Sequence, residues 1–349
     1  MALLIALQLS FAAFAAAAAR DVEKLLAEIT RKPAAERARI LAEGAKREGV
    51  VNLYGSTMVR DNQELVKGFN SHYPFVEVRY TRLGGASIVN RLVNEYRGGV
   101  FSADAISMRA TFLPELIGKK VICRYKSSMI PFLRKGFVDT EGYFLSLYGT
   151  GYTVIFNNSR VKPVEAPKSY KDLLHPRWKG RIVMDSEDYD WFAGMIDLMG
   201  ENDAAGFLKR LVTEQAMTLR RGHSLAAQLV AAGEHDLLID GYVHEAVEYK
   251  AKGAPIDFVF MDPTIVKAPN AIAIASNAPH PYGAALLVDY YLSKEAHETM
   301  ARKQSRWTTR TDVKWITEPG TDIHPISPFV WGRKYNQLIE LFRKVTGDA

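Results

Sequence analysis

The 349-residue chain has a single cysteine, Cys123, so it can build neither an intrachain disulfide nor a zinc site from clustered thiolates. Packing must supply its stability. Beyond the first twenty residues no segment is long and uncharged enough to span a bilayer. No block of like charge stands out either. The 45 Lys and Arg against 39 Asp and Glu leave a net charge of +6, scattered along the chain, which falls short of the basic stripe that nucleic acid requires. Enzyme signatures are equally scarce: G-x-S-x-G, a Walker A loop and G-x-G-x-x-G are missing, and His244-Glu245 lacks the second histidine of H-E-x-x-H. There is no fixed-period repeat, low-complexity tract or coiled-coil heptad. What remains is an ordinary globular composition, with 48% hydrophobic and 24% charged residues, and a length suited to about two domains of roughly 150 residues.

Met1 to Ala19 carry no charged side chain and end in an alanine tract, with Ala17 and Ala19 fitting an A-x-A cleavage site before Arg20. Residues 1–19 are therefore expected to be a signal peptide, although no basic side chain precedes the apolar run. Residues 20–49 have helical spacing (Val22, Leu25, Leu26, Ile29, then Ile40 and Leu41) and predict a helical N-terminal extension. From Val50 onward, short apolar runs alternate with helical stretches. Val50–Gly55, Val76–Tyr80, Ala103–Ser107, Tyr148–Asn157, Ile182–Met184, Asp236–Asp240 and Val266–Ala275 read as strands. Such alternation predicts an α/β fold with largely parallel sheets. The strand near 150 leaves a first lobe and the strand near 265 returns to it. The expected organisation is lobe 1 from 50–148 and 268–349, with lobe 2 (149–267) inserted.

The order Val-Val-Asn-Leu-Tyr-Gly, Ala-Asp-Ala-Ile-Ser, His175-Pro176-Arg177-Trp178-Lys179-Gly180-Arg181-Ile182, Ala232-Gly233-Glu234-His235-Asp236 and Asn277-Ala278-Pro279-His280-Pro281 resembles the periplasmic solute-binding proteins of ABC importers, nearest the ferric-ion-binding type. The likeness covers about residues 50–310. It implies two lobes that close on a solute about a hinge, a periplasmic location, an inner-membrane permease as partner, a monomer, no resident cofactor and no nucleic-acid partner. Ferric-binding relatives carry consecutive tyrosines where this chain has Tyr242 and Val243. Thr57 and Met108 stand at the approximate places of their histidine and glutamate. The resemblance thus implies the fold more than that iron-ligand set.

Ligand contacts in such folds lie at strand carboxyl ends and helix amino termini. That rule selects Ser56 and Thr57 after the first strand, Gly85 and Ser87 at a glycine-rich turn, and Arg109, whose fork suits a carboxylate or phosphate. In the second lobe it selects Ser186, Asp188 and Tyr189 within a stretch of four carboxylates, together with His223 and Tyr242. Helix capping explains several of these equally well. The predicted function is binding of a small organic solute, anionic or zwitterionic, without covalent chemistry. Two alternatives stand beside it: a metal-ion receptor using Asp188, Tyr242 and His244, and, from another class, a secreted hydrolase.

Overall fold

The computed structural model describes residues 21–315 and 317–347; the expected signal peptide lies outside the described residues. Among the described residues two helices, Val22–Thr30 and Ala34–Glu48, come first. Asp21 caps one by accepting from the Lys24 amide at 3.0 Å, and Gly49 ends the other at φ 70°, a left-handed turn that glycine adopts without strain. Their apolar stripes, including Leu26, Ile29 and Leu41, are at most 5% exposed and enter the first core. Residues 21–49 are thereby built into the first apolar cluster.

The strands are β1 (Val50–Gly55), β2 (Glu77–Arg82), β3 (Ala105–Arg109), β4 (Ile122–Cys123), β5 (Leu145–Asn157), β6 (Ile182–Asp185), β7 (Thr218–Arg220), β8 (Leu237–Tyr242), β9 (Ile256–Val259), β10 (Thr264–Ala275), β11 (Trp307–Thr308) and β12 (Ile323–Pro325). Their main order is β2-β1-β3-β10-β5-β8-β6-β7. The expectation of largely parallel sheets holds at the two ends, β2-β1-β3 and β8-β6-β7. Between them β5 and β10 run antiparallel to each other and to their outer neighbours β8 and β3. These two long strands cross between the lobes in opposite directions. The first half of β5 pairs with β10, and its second half, from Tyr152 to Asn157, pairs with β8 and β9. The lobes therefore share a hydrogen-bonded strand, so relative motion must bend β5 and β10 instead of a loose linker. Gly151 sits at this crossing, where a Cβ would fall 2.2 Å from the Trp307 ring.

Burial divides into two main apolar clusters, one around Leu53, Phe69, Ile88 and Leu92, the other around Phe156, Trp178, Trp191 and Phe192. Chain order places the last helix, Pro328–Thr346, with the first lobe. It nevertheless buries Trp331, Leu338 and Phe342 in the second cluster. Its Gly332 backs onto the first lobe, where a Cβ would stand 2.6 Å from the Thr111 carbonyl oxygen. The helix lies across both lobes because its two faces are apolar and glycine-thin, respectively. Among the described residues no helix is long and apolar enough to cross a membrane.

Candidate functional site

The parallel strands β8, β6 and β7 deliver their carboxyl ends to one place. Asp185 ends β6, and its amide donates to Asp240 Oδ2 on β8 at 3.0 Å. Asp188 follows as the N-cap of the helix Tyr189–Met199, accepting from the Trp191 amide at 3.2 Å. After β7, Gly222 turns at φ 101°, a conformation that side chains strain to reach, and sets His223 at the start of the next helix.

His223 is the hub. Its Nδ1 lies 2.7 Å from Asp185, its Nε2 lies 2.7 Å from Asp188, and Asp240 is 3.4 Å away. Burial alone would lower its pKa, but Asp188 and Asp240 reverse this and hold it well above the ordinary histidine value. A cation at a helix amino terminus is opposed by about 0.3–1 kcal/mol, whereas each charge-assisted hydrogen bond returns about 1.5–3 kcal/mol. The carboxylates win. Burial pushes Asp188 up, yet Lys267 and His223 more than offset it, so Asp188 is held below its ordinary value. Asp240, buried beside two other carboxylates with Oδ1 unpartnered, is pushed up to about 6, chiefly by burial.

Two crossing strands add the next layer. Tyr152 of β5 donates to Asp188 Oδ1 at 2.6 Å. Lys267 of β10 lies 3.6 Å from Asp188 and 3.7 Å from Asp190 and donates to the Tyr242 hydroxyl. The Tyr242 ring stacks on His223 at 4.0 Å. Burial and then Asp188 keep both phenols well above the usual tyrosine value, so both stay protonated. From the first lobe, Arg109 at the end of β3 donates to Asp190 Oδ2 at 2.7 Å, directly across the lobes. On the same wall Ser107 donates to Asn270 at 2.9 Å and the Thr57 hydroxyl lies 3.3 Å from that of Tyr148. Arg306 meets His244 Nε2 at 3.2 Å. Burial, then Arg306, His223 and Lys267, push His244 down to about 3, leaving a neutral ring that accepts from the guanidinium.

The structure thus gathers Arg109, Asp188, His223 and Tyr242 in one cluster. Ser56 and Thr57 stand half-buried on the first-lobe wall. Gly85 backs onto Phe112, whose ring would lie 2.5 Å from a Cβ there, and Ser87 is exposed; neither bonds to the acidic cluster. Ser186 is half-buried with its amide bonded to the Arg220 carbonyl at 3.0 Å. Tyr189 turns into the second core against Tyr335 and Phe342. The side chains that converge with metal-ligand spacing are Asp188, His223 and Asp240, all within 4.8 Å, while His244 is turned toward Arg306. Asp185 and Asp190 belong to the stretch of four carboxylates that the sequence offers, whereas Asp240, Tyr152 and Lys267 are not among its candidates. The readable signal was an ionisable residue inside or ending an apolar strand, as Asp240 ends Leu-Leu-Ile and Lys267 interrupts β10.

Such a cluster makes charged hydrogen bonds of both signs. Both nitrogens of His223 are spent on carboxylates, so it has no lone pair with which to take a proton from a nucleophile.

Two lobes sharing crossing strands, with polar groups at the strand ends facing across, are the architecture of periplasmic binding proteins. Solved structures of that fold superpose on the chain. The Trichodesmium protein IdiA (FutA), in complex with iron and citrate, gives a TM-score of 0.74 at 21% identity over 85% of this chain and 99% of that one. AfuA of Actinobacillus pleuropneumoniae, with fructose-6-phosphate bound, gives 0.70 at 22% identity over 86% and 99%. An uncharacterised Haemophilus influenzae protein is 27% identical over 285 residues, 76% of this chain and 80% of its own length. The Fe(3+)-binding periplasmic protein of Serratia marcescens is 20% identical over 235 residues, 64% and 68% respectively. The family model described as "Bacterial extracellular solute-binding protein" matches residues 102–314, more than half of the chain, and the protein belongs to that family.

Proposed function

We propose that this protein binds a small organic solute bearing charge of both signs in the cleft between its lobes, and passes it to an inner-membrane permease without covalent change. The supporting observation is the charge inventory of the cleft. Arg109, Lys267 and the His223 imidazolium meet Asp185, Asp188, Asp190 and Asp240, and one of the pairs, Arg109 with Asp190, bridges the lobes. A dipolar solute exchanges partners with these groups and leaves none uncompensated. Only such differential contact with both lobes shifts an open-closed equilibrium toward the closed form. A bare cation must instead strip the proton from His223 and compete with Lys267 for Asp188. In the same reading residues 1–19 direct export, the lobes comprise 50–148 and 149–267 with the return from 268, and the working unit is a monomer.

A thermal-shift panel tests this reading. Zwitterionic and organic-acid solutes should raise the melting temperature and Fe(III) or Zn(II) should not. Stabilisation by metals alone would reject it. The convergence of Asp188, His223 and Asp240 within 4.8 Å favours a second reading, a metal receptor. It requires metal retention that Asp240→Asn abolishes.

A further inference from the structure

Much of the basic surplus is concentrated on one face of the second lobe. Arg160 to Arg181 holds seven Lys and Arg against Glu165 and Asp172, with no two basic residues adjacent. The fold draws them together. Arg160 Nε donates to the buried Asp236 at 2.5 Å, and Arg181 pairs with the same carboxylate. Arg181 and Arg177 both lie against the Trp178 ring, their guanidinium carbons 5.6 Å and 4.6 Å from its centre. Arg177 reaches Glu165 at 3.3 Å, and the Lys162 amide donates to that same carboxylate at 3.2 Å. Arg160 follows β5, Arg181 precedes β6 and Asp236 precedes β8, so this face lies at the end of the second lobe's sheet away from the cleft.

The arginines of this face are paired internally, and its lysines are not. Lys162, Lys168, Lys171 and Lys179 are exposed and, among the described residues, make no ion pair. Asp172 Oδ2 accepts from the Lys168 and Ser169 amides at 2.9 Å, so this carboxylate is spent on backbone. Beside Lys162 stands Val164, 75% exposed, the most exposed large hydrophobic side chain among the described residues. A protein partner would select differently, because such interfaces are depleted of lysine and enriched in arginine and aromatic rings, and Trp178 is 1% exposed. Mobile ammonium groups around a projecting apolar tip match a lipid headgroup layer. There the tip enters the acyl boundary, and the lysine stems lie along it with their charges at the phosphates.

We propose that this face of the second lobe binds the anionic phospholipid headgroups of a bilayer, with Val164 at the point of entry. The contact is reversible. Each basic side chain at such a surface strengthens binding about fivefold, and four free lysines with one valine fall far short of a membrane anchor. Contact through this face leaves the cleft open and holds the protein on the surface in which a permease lies. The proposal does not depend on which solute the cleft takes.

Sedimentation of the whole protein with vesicles tests it. Vesicles containing phosphatidylglycerol should bind the protein more tightly than vesicles of phosphatidylcholine alone, and salt at about 1 M, where screening acts within about 3 Å, should remove the difference. Lys168→Gln, Lys171→Gln and Lys179→Gln together should weaken partitioning about a hundredfold, at about fivefold per side chain. The same change at Lys46, Lys67 and Lys135, exposed lysines elsewhere on the chain, alters net charge equally and should weaken it by less than about threefold, because those charges stand beyond the screening length from the bilayer. Val164→Asn should weaken it severalfold, and Lys→Arg changes at the three patch positions should preserve it. Equal losses for the two triple Gln variants, or binding that neither phosphatidylglycerol nor the patch lysines affect, overturns the proposal. So does an absence of vesicle binding, whatever protein or nucleic acid the face then retains.

Discussion

The Arg109–Asp190 pair yields a prediction with a built-in asymmetry. Asp190 is 1% exposed, its sole side-chain hydrogen bond comes from Arg109 at 2.7 Å, its Oδ1 has no partner, and Lys267 is 3.7 Å away. Arg109→Gln therefore strands a buried carboxylate. Removing one partner of a fully buried pair costs about 3–5 kcal/mol. Arg109 is itself 35% exposed and Lys267 lends residual compensation, so about 2 kcal/mol is expected. The reverse change, Asp190→Asn, leaves a guanidinium that water can reach, and should cost about 1 kcal/mol or less. In the double variant the loss should fall back toward that of Asp190→Asn, because the stranded charge is gone. Urea unfolding followed by tryptophan fluorescence reads this directly: at a slope near 3 kcal/mol per molar, about 2 kcal/mol moves the midpoint by about 0.7 M. Equal losses for the two single variants, or a larger one for Asp190→Asn, would refute the reasoning from burial.

Further outcomes follow from the same physics. His297 is fully buried with neither ring nitrogen partnered, and burial, then Arg310, pushes it down to about 3. Its neutral form is favoured on folding, so the protein is most stable with respect to this group above pH 6.5 and loses stability as pH falls from there toward 3, by up to about 5 kcal/mol. His297→Met should flatten the stability profile across that window, and an unchanged slope would contradict the assignment. His223 has the opposite sign: with its pKa raised in the folded state, its stabilisation is complete below about 6.5 and fades as pH rises through the higher folded value. The melting difference between native protein and His223→Gln should accordingly shrink in alkaline buffer, and a difference growing with pH would count against it. Gly206 lies within the helix Glu201–Thr213 with open space where a Cβ would go, so Gly206→Ala should stabilise by about 0.5–1 kcal/mol. Gly332→Ala, blocked by the Thr111 carbonyl, should destabilise by about 1–3 kcal/mol; chemical denaturation of the two variants side by side distinguishes these signs.

Much of the fold was legible because local pattern and tertiary role coincide in an α/β chain. Val50–Gly55, Ala105–Arg109 and Leu237–Tyr242 are apolar runs buried on both faces, and they read as strands whatever they pack against. The position of the last helix was not readable, since amphipathicity reports an apolar face and not which lobe covers it. The site divides the same way. Asp188, His223 and Tyr242 follow strand ends, where topology dictates that ligands bind, so position along the chain was enough to find them. Tyr152, Arg306 and Lys267 reach the cleft through crossing strands and a turn, 36, 62 and 79 residues from the groups they meet, Asp188, His244 and Asp188. No local spacing encodes such meetings. Arg109 illustrates the limit most clearly: its chemistry suggested a solute anion, and the fold supplies it with an internal one, Asp190.

Native mass spectrometry of the gently purified, full-length protein tests the central claim most directly. The account predicts a complex heavier by the mass of one small organic solute that bears an acidic group, with occupancy lost in Asp188→Ala. A mass increment equal to a metal ion, with no organic species, would contradict it.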